Sequence, residues 1–297
     1  MISVLIPVLN RDVTQLVQTL IKQLKLLPVS VEIILLDDGS QTYFSKLNSV
    51  GIADTPFVEY IESKINNGRI RARQVLAEAS KFEWLLFLDC DSDIVSDRFL
   101  ENYYNEFNAV NQVIVGGRIY NPLKPADSGT MLHWKYGTCR EAIKLGKHCH
   151  ANRFMTNNFC IRKSVFKNFN FTGGWDGYGY EDSWMGMQLE AMNVPVIFID
   201  NPVLHHGVEP SSVFIIKSEE ALRNLCRLNQ VTSPGILLRH VRLFNYYYRL
   251  RSWRMLWIVT LIYSMLGKVV ERNLLSCKPS LLLFDLYRLN YFVKVMS

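Results

Sequence analysis

The chain has 297 residues, of which 49% are hydrophobic and 20% are charged, and these values are typical of a globular protein. Its formal net charge is only +6, and no basic helix carries interleaved base-stacking aromatics, so the sequence argues against a nucleic-acid-binding protein. The six cysteines have no paired spacing, which indicates free thiols in a reducing compartment. The apolar N-terminal segment lacks the basic leader of a signal peptide, so we expect a cytoplasmic protein.

Predicted strands and helices alternate over the first two-thirds of the chain. This alternation predicts an α/β fold with a mostly parallel sheet flanked by helices. Ligands bind beyond the carboxyl ends of such strands, where we expect Asp38 and Asp91 to meet. Residues 121–153 are rich in Pro, Gly, Lys and His and are predicted to form an irregular insertion. Strands are predicted at residues 2–8, 31–36, 57–61, 84–88, 113–120, 154–161 and 196–199. Helices are predicted at residues 12–26, 67–80, 97–109 and 181–192, and a short helix is predicted directly after residue 161.

The most informative stretch is the apolar run of residues 84–88, which is followed by Asp89, Asp91 and Asp93. The run predicts a strand that is buried on both faces. If the extended geometry continues, the three carboxylates emerge on one side of the strand. Converging carboxylates suit Mg²⁺ or Mn²⁺. The alternative is a polar turn in which Asp97 caps the next helix.

A second group of metal-ligand residue types contains His148, Cys149 and His150, with His133 and Cys139 nearby. Adjacent ligands rarely converge on one ion, and the spacing matches no zinc-finger pattern. The sequence therefore does not predict a zinc site here.

After about residue 211 the sequence becomes basic and aromatic and predicts helices. The apolar stretch at residues 255–267, between Arg254 and Lys268, is shorter than the roughly 20 residues that a membrane-spanning helix needs. Basic and aromatic flanks favour a helix at the membrane surface, and hence peripheral association with the cytoplasmic membrane. Helices that pack on the catalytic domain, or that join copies of the chain in a homo-oligomer, are the alternatives.

Five short motifs occur in a set order within residues 1–210. They are Ile-Pro-Val-Leu-Asn-Arg (6–11), Asp-Asp-Gly-Ser (37–40), Asn-Asn-Gly with Ala-Arg (66–68 and 72–73), Asp-Cys-Asp (89–91) and Gly-Tyr-Gly-Tyr-Glu-Asp (177–182). In this order they resemble the inverting family 2 glycosyltransferases with the GT-A fold, whose D-x-D element matches Asp-Cys-Asp. The resemblance implies a GT-A catalytic domain at 1–210, with a nucleotide-binding half (1–120) and an acceptor and catalytic half (121–210), followed by a helical extension at 211–297.

The resemblance also implies a nucleotide-diphosphate sugar donor, a UDP-sugar, with Mn²⁺ or Mg²⁺. A divalent cation neutralises the diphosphate as it leaves. Asp91 is the first metal ligand, and one of His205 and His206 is predicted to be the second, with a slight preference for His206. The implied donor-binding residues are Pro7, Asn10, Arg11, Asp38, Gly68, Arg73, Asp89 and Cys90.

The acceptor hydroxyl needs a general base, and the resemblance assigns that role to Asp182. Glu181 is expected to contact an acceptor or donor hydroxyl. The alternative for both acids is a structural role at a helix N-terminus. Trp175 and Tyr178 are weaker candidates that could stack on the faces of acceptor sugars.

We therefore predict a metal-dependent inverting glycosyltransferase that moves a sugar from a UDP-sugar to a carbohydrate or lipid-linked glycan, in surface polysaccharide or glycan synthesis. One alternative is a sugar-nucleotidylyltransferase, which would need a glycine-rich phosphate loop with a basic residue after the first strand. Another is a non-catalytic glycan-binding scaffold that retains the fold. The presence of Asp38, Asp91 and Asp182 argues against the scaffold.

Overall fold

The computed structural model describes residues 1–142, 151–171 and 178–297. The chain divides into two compact units: unit 1 comprises residues 1–119, 143–171 and 188–207, and unit 2 comprises residues 120–142, 172–187 and 208–297. The domain boundary expected at residue 210 stays a prediction.

Strands and helices alternate along the described residues. The strands are β1 (Ile2–Val8), β2 (Val31–Asp38), β3 (Val58–Ser63), β4 (Trp84–Leu88), β5 (Ser92–Ile94), β6 (Val113–Val115), β7 (Arg118–Ile119), β8 (Asn158–Arg162), β9 (Val196–Phe198) and β10 (Val203–His205). The helices are α1 (Thr14–Leu24), α2 (Thr42–Gly51), α3 (Arg69–Ala79), α4 (Phe99–Tyr104), α5 (Met131–Tyr136), α6 (Lys163–Phe166), α7 (Glu181–Ala191), α8 (Ser211–Val231), α9 (Pro234–His240), α10 (Arg242–Ser252), α11 (Leu256–Leu274) and α12 (Leu281–Met296).

Unit 1 is built on a sheet in which seven of the described strands take the order β3-β2-β1-β4-β8-β6-β9. The first four strands are parallel, and β8 runs antiparallel to both of its neighbours. A smaller sheet of the described residues has the order β5-β10-β7. This architecture confirms the predicted α/β class with a mostly parallel sheet.

The central strands are buried on both faces, which explains their continuous apolar sequences. Helix α1 covers one face of the sheet with Leu16, Val17 and Leu20. The acid near the start of β2, Glu32, accepts hydrogen bonds from the Ser3 hydroxyl and the Lys81 amide, both at 2.6 Å. A buried carboxylate with such partners does not disrupt the core.

The strand predicted at residues 113–120 is interrupted, which corrects the sequence prediction. Strand β6 ends at Val115, and Gly117 has a φ of +79°, a conformation that glycine adopts without strain. The chain therefore leaves the large sheet, and β7 joins β10 in the smaller one. The break carries Arg118 into the second sheet.

Two helices lie where none is predicted. Helix α2 is one, and its residue Asn48 is fully buried and accepts a hydrogen bond from the Val13 amide at 3.0 Å. Helix α5 is the other, within the supposedly irregular insertion, and it forms because Met131 and Leu132 are buried. The helix predicted at residues 97–109 is shorter than expected, because α4 spans only Phe99–Tyr104.

Unit 2 is helical, and α8 to α12 confirm the predicted helical C-terminal region. One apolar core joins α8, α9, α10 and α12 through residues such as Leu225, Leu237 and Phe292. A second joins α5, α8, α11 and α12. No single helix of the described residues is long and apolar enough to cross a membrane; α10 and α11, which are bent by 111° at their junction, meet the length and composition criteria only as a pair.

Candidate active site

The turn after β1 is tied to the loop after β2. The Asn10 amide donates a hydrogen bond to the Ser40 hydroxyl, and the Asn10 side chain accepts one from the Gln41 amide, both at 2.8 Å. Asn10 has a φ of +52°, which asparagine tolerates better than most residues. Arg11 is exposed and Pro7 is half-buried. Asn10 and Arg11 therefore lie on a loop that is shaped by hydrogen bonds to its neighbour, and Pro7 lies near the end of β1.

Two acids end strand β2, and they have different partners. Asp37 is buried and accepts a hydrogen bond from the Tyr60 hydroxyl at 2.7 Å. Asp38 accepts hydrogen bonds from the amides of Asn67 and Gly68, both at 2.9 Å. Asp38 therefore joins the end of β2 to the turn that precedes α3.

The expected one-sided row of carboxylates is not formed, because the extended geometry ends at Leu88. Cys90 and Asp91 form a turn, and the chain then enters the smaller sheet as β5. Asp89, Asp91 and Asp93 consequently point to three different partners.

The partner of Asp89 is Arg73, whose side chain is only 3% exposed. The Arg73 guanidinium donates to the Asp89 carboxylate at 2.7 Å and to the Thr156 carbonyl at 3.1 Å. Removing one member of a buried ion pair leaves the other charge uncompensated, which typically costs about 3–5 kcal/mol. The pair thus holds the start of the Asp-Cys-Asp motif against α3.

The partner of Asp91 is His205, the last residue of β10. Asp91 Oδ1 lies 3.3 Å from His205 Nδ1, and the two side chains are 20% and 10% exposed. Asp91 Oδ1 is buried and has no hydrogen-bond partner among the described residues. A Cβ atom at Gly207 would lie 2.3 Å from Asp91 Oδ2 and 2.9 Å from His205 Nε2. Both side chains therefore pack closely against the backbone at Gly207, where any larger residue would displace one of them.

The surroundings of Asp91 keep it ionised. Burial alone would raise the pKa of the Asp91 carboxyl, but His205, Arg118 and Arg69 outweigh it and hold the pKa well below its usual range. Arg118 was not predicted from the sequence to lie near Asp91. The only sequence feature that points to it is the glycine at position 117, where the chain leaves the large sheet before β7. Burial and the charge of Asp91 raise the pKa of the neighbouring Cys90 thiol to about 12, so that thiol is neutral at physiological pH.

Asp93 and His206 form a second carboxylate–imidazole pair. His206 Nε2 lies 2.5 Å from Asp93 Oδ2, and the side chains are 51% and 56% exposed. Although the sequence slightly favours His206 as a metal ligand, it is His205 that lies beside Asp91.

Unit 2 contains the predicted catalytic acids at the start of α7. Glu181 is 7% exposed, and Asp182 is half-buried. Gly179 has a φ of +102°, and a Cβ atom there would lie 2.3 Å from Ala221 Cβ. Glycine is thus required for the turn into the helix. Arg288 donates to the Tyr180 hydroxyl at 3.4 Å, which links α12 to this turn.

The predicted acceptor residues are only partly within the described chain. Tyr178 accepts a hydrogen bond at its carbonyl from Asn224 at 3.1 Å, and Lys217 Nζ lies 5.3 Å from the centre of its ring. Trp175 lies outside the described residues, as do His148, Cys149 and His150. From the same zinc group, His133 has a structural contact, since its Nδ1 accepts a hydrogen bond from the Glu209 amide at 2.9 Å.

The carboxylate of Asp91 and the imidazole of His205 suit a divalent cation whose other coordination positions are filled by a bound substrate. No group of three or more His, Cys, Asp or Glu residues in the described ranges could hold a metal ion alone. Mg²⁺ and Mn²⁺ commonly take one or two protein ligands and complete their coordination with substrate phosphates. The buried Asp91 oxygen that lacks a hydrogen bond and the adjacent imidazole suit that arrangement.

Comparison with known proteins identifies the family and the fold of the chain. A sequence profile of glycosyl transferase family 2 matches residues 3–169. No curated protein sequence matches the chain.

Three solved structures share the fold. Mannosyltransferase PcManGT from Pyrobaculum calidifontis, in complex with GDP-Man and Mn²⁺, has a TM-score of 0.60 and 11% identity, over 99% of this chain and 85% of that one. Glucosyl-3-phosphoglycerate synthase from Mycobacterium tuberculosis, in complex with Mn²⁺, UDP and glucosyl-3-phosphoglycerate, has a TM-score of 0.51 and 14% identity, over 76% and 79%. S. aureus TarS has a TM-score of 0.51 and 15% identity, over 81% and 70%.

Proposed function

The chain belongs to glycosyl transferase family 2, and we propose that it is a metal-dependent inverting enzyme that transfers a sugar from a UDP-sugar to a carbohydrate or lipid-linked glycan. Such a reaction serves surface polysaccharide or glycan synthesis. The observation that carries the proposal is the buried Asp91–His205 pair beside Gly207. Two structures with the same fold hold Mn²⁺ together with GDP-Man or with UDP, which supports a nucleotide-and-metal site.

Asp91 and His205 would hold the metal, one through a carboxylate oxygen and the other through an imidazole nitrogen. When bound, Mn²⁺ or Mg²⁺ supplies positive charge against the diphosphate leaving group. The low pKa of Asp91, which His205, Arg118 and Arg69 lower against the effect of burial, means that the carboxylate needs no deprotonation before it binds a cation. His205 is preferred to His206 because His206 pairs with the exposed Asp93.

The donor nucleotide would lie along the ends of β1 and β2. Asp38 already accepts a hydrogen bond from the Gly68 amide. It can accept a further hydrogen bond from a uracil N–H, because each carboxylate oxygen has more than one acceptor site. We assign further donor contacts to Pro7, Asn10, Arg11, Cys90 and Asp89. Arg73 acts on the donor through Asp89, which it holds at 2.7 Å.

The transfer step is a single displacement at the anomeric carbon. The acceptor oxygen forms the new glycosidic bond with inverted configuration as Asp182 takes its proton. The bond between the anomeric carbon and the diphosphate oxygen breaks, and the nucleoside diphosphate leaves with the electron pair. Glu181, which is buried, is assigned to a sugar hydroxyl, and Tyr178 and Trp175 are assigned to the acceptor.

Release of nucleoside diphosphate tests the proposal. Purified chain is incubated with UDP- and GDP-sugars, with and without Mn²⁺, and with a panel of glycan and lipid-linked acceptors. We expect release from one donor class that requires Mn²⁺ and rises with acceptor. Pyrophosphate release would indicate a nucleotidylyltransferase instead. Glycan binding without release of any nucleotide would indicate a non-catalytic scaffold.

A further inference from the structure

Helix α11 carries an exposed apolar ridge. Trp257, Leu261, Met265 and Val269 follow one another at four-residue spacing, and their side chains are 49 to 76% exposed. Residues at this spacing form one ridge along a helix. The other side of α11 is also apolar, because it contributes to a buried core. A helix that is apolar on all sides is normally covered on all sides.

Apolar exposure is concentrated on this part of the chain. Among the described residues, eleven of the 26 exposed large hydrophobic side chains lie between residues 246 and 275. Trp253, in the bend between α10 and α11, is 66% exposed. Soluble monomers rarely expose large contiguous apolar patches, and those that exist usually mark an interaction site.

The net positive charge of the chain lies in the wider stretch around this segment. Residues 232–284 contain eight Lys or Arg residues and one acid, a net charge of +7 compared with +6 for the whole chain. The remainder is therefore close to neutral. Arg249, Arg251 and Arg254 are exposed and directly precede α11 in the chain. The one acid, Glu271, accepts a hydrogen bond from the Tyr263 hydroxyl at 2.9 Å.

We propose that the exposed faces of α10 and α11 form a docking surface for an anionic lipid bilayer. The ridge would enter the boundary between headgroups and acyl chains, and the arginines would lie at the level of the lipid phosphates. Tryptophan favours that boundary because its ring is apolar and its N–H is polar. A second copy of the chain would bring two positively charged surfaces together, which electrostatic repulsion opposes.

Vesicle flotation of the full chain tests the surface. The vesicles are pure phosphatidylcholine or a mixture of phosphatidylcholine and phosphatidylglycerol, at low and high salt. We expect binding only to the mixture, and weaker binding as salt rises. Trp257→Glu/Met265→Glu should abolish flotation. The control Val50→Glu/Val231→Glu, at positions that are 77% and 57% exposed, should not.

The arginines provide a second variant that spares the apolar ridge. Arg249→Gln/Arg251→Gln should weaken binding about 25-fold, since each basic side chain near an anionic surface contributes about fivefold (~1 kcal/mol). Lys22→Gln/Lys25→Gln removes the same charge from unit 1 and should have little effect.

Equal binding to both kinds of vesicle, or none at low salt, would overturn the proposal. Self-association that Trp257→Glu/Met265→Glu abolishes, without lipid binding, would assign the ridge to a second copy. These assays contain no sugar donor or acceptor. A negative result in them would therefore not count against the proposed sugar transfer.

Discussion

Two carboxylate–imidazole pairs occupy neighbouring positions in the smaller sheet, yet their surroundings differ sharply. Asp91 and His205 are 20% and 10% exposed, with a gap of 3.3 Å between their polar atoms. Asp93 and His206 are 56% and 51% exposed and lie 2.5 Å apart. The closer pair is therefore the more solvated one. Distance alone would select Asp93 and His206, whereas burial selects Asp91 and His205 as the proposed metal site.

The difference arises where the two short strands end. His205 is the last residue of β10 and His206 follows the strand, while Asp91 lies in the turn before β5 and Asp93 lies within β5. One imidazole therefore faces Asp91 and the other faces Asp93. An exposed pair is screened by water and contributes little, whereas a buried carboxylate retains a strong interaction with a cation.

Replacing the two aspartates tests the comparison with the largest expected effect. Asp91→Ala should weaken Mn²⁺-dependent donor binding by roughly 100-fold or more, because the carboxylate supplies the main charge against the cation. Asp93→Ala should change the affinity by less than about twofold, because its pair is exposed. Calorimetry of UDP with Mn²⁺ measures both, and circular dichroism checks the fold. If both variants lost donor affinity equally, the buried pair could not be distinguished from the exposed pair as the metal site.

A change at the proposed base separates binding from catalysis. Asp182→Asn keeps the shape of the side chain but cannot take a proton, so turnover should fall by roughly 100-fold or more. Donor affinity with Mn²⁺ should stay near that of the wild type, in contrast to Asp91→Ala. Steady-state rates and calorimetry on the same preparation give the two values. Near-normal turnover would move the base elsewhere, with Glu181 as the next candidate.

The two histidines provide a smaller effect. His205→Ala should weaken Mn²⁺-dependent binding by roughly 10- to 100-fold, the range seen when a group that supports a metal site is removed. His206→Ala should have an effect of about twofold or less. Manganese titration followed by electron paramagnetic resonance reports the affinity directly. A larger loss in His206→Ala would restore the slight preference that the sequence gives to that residue.

The sheet was predictable from sequence because its strands are continuous apolar runs. The strands at residues 2–8 and 84–88 match the predicted bounds, since burial on both faces leaves a strong signal. Strand β10 has three residues and gives no such signal. The sequence therefore placed His205 and His206 together on a loop and could not assign each of them to its aspartate.

The site could be predicted in its residue types but not in its pairing. Asp89 and Asp91 were expected to act side by side, whereas a turn sends Asp89 to Arg73 and Asp91 to His205. The turn depends on pairing between β5 and β10, which are more than 100 residues apart in the chain. Arg118 reaches Asp91 through another such contact between strands. Local pattern carries no information about these long-range pairings.

Glycine 207 gives the smallest and most specific test of the buried pair. A Cβ atom at this position would lie 2.3 Å from Asp91 Oδ2 and 2.6 Å from His205 Cε1, so Gly207→Ala must displace one of the two side chains. Overpacking of this kind typically costs about 1–3 kcal/mol, and we expect a loss of about tenfold in Mn²⁺-dependent donor affinity. Gly235→Ala is the matched control, because a Cβ atom there meets no atom within 4 Å. Calorimetry of both variants decides the question. If Gly207→Ala binds UDP and Mn²⁺ as tightly as the control, the placement of the Asp91 and His205 side chains does not determine where the metal and diphosphate bind.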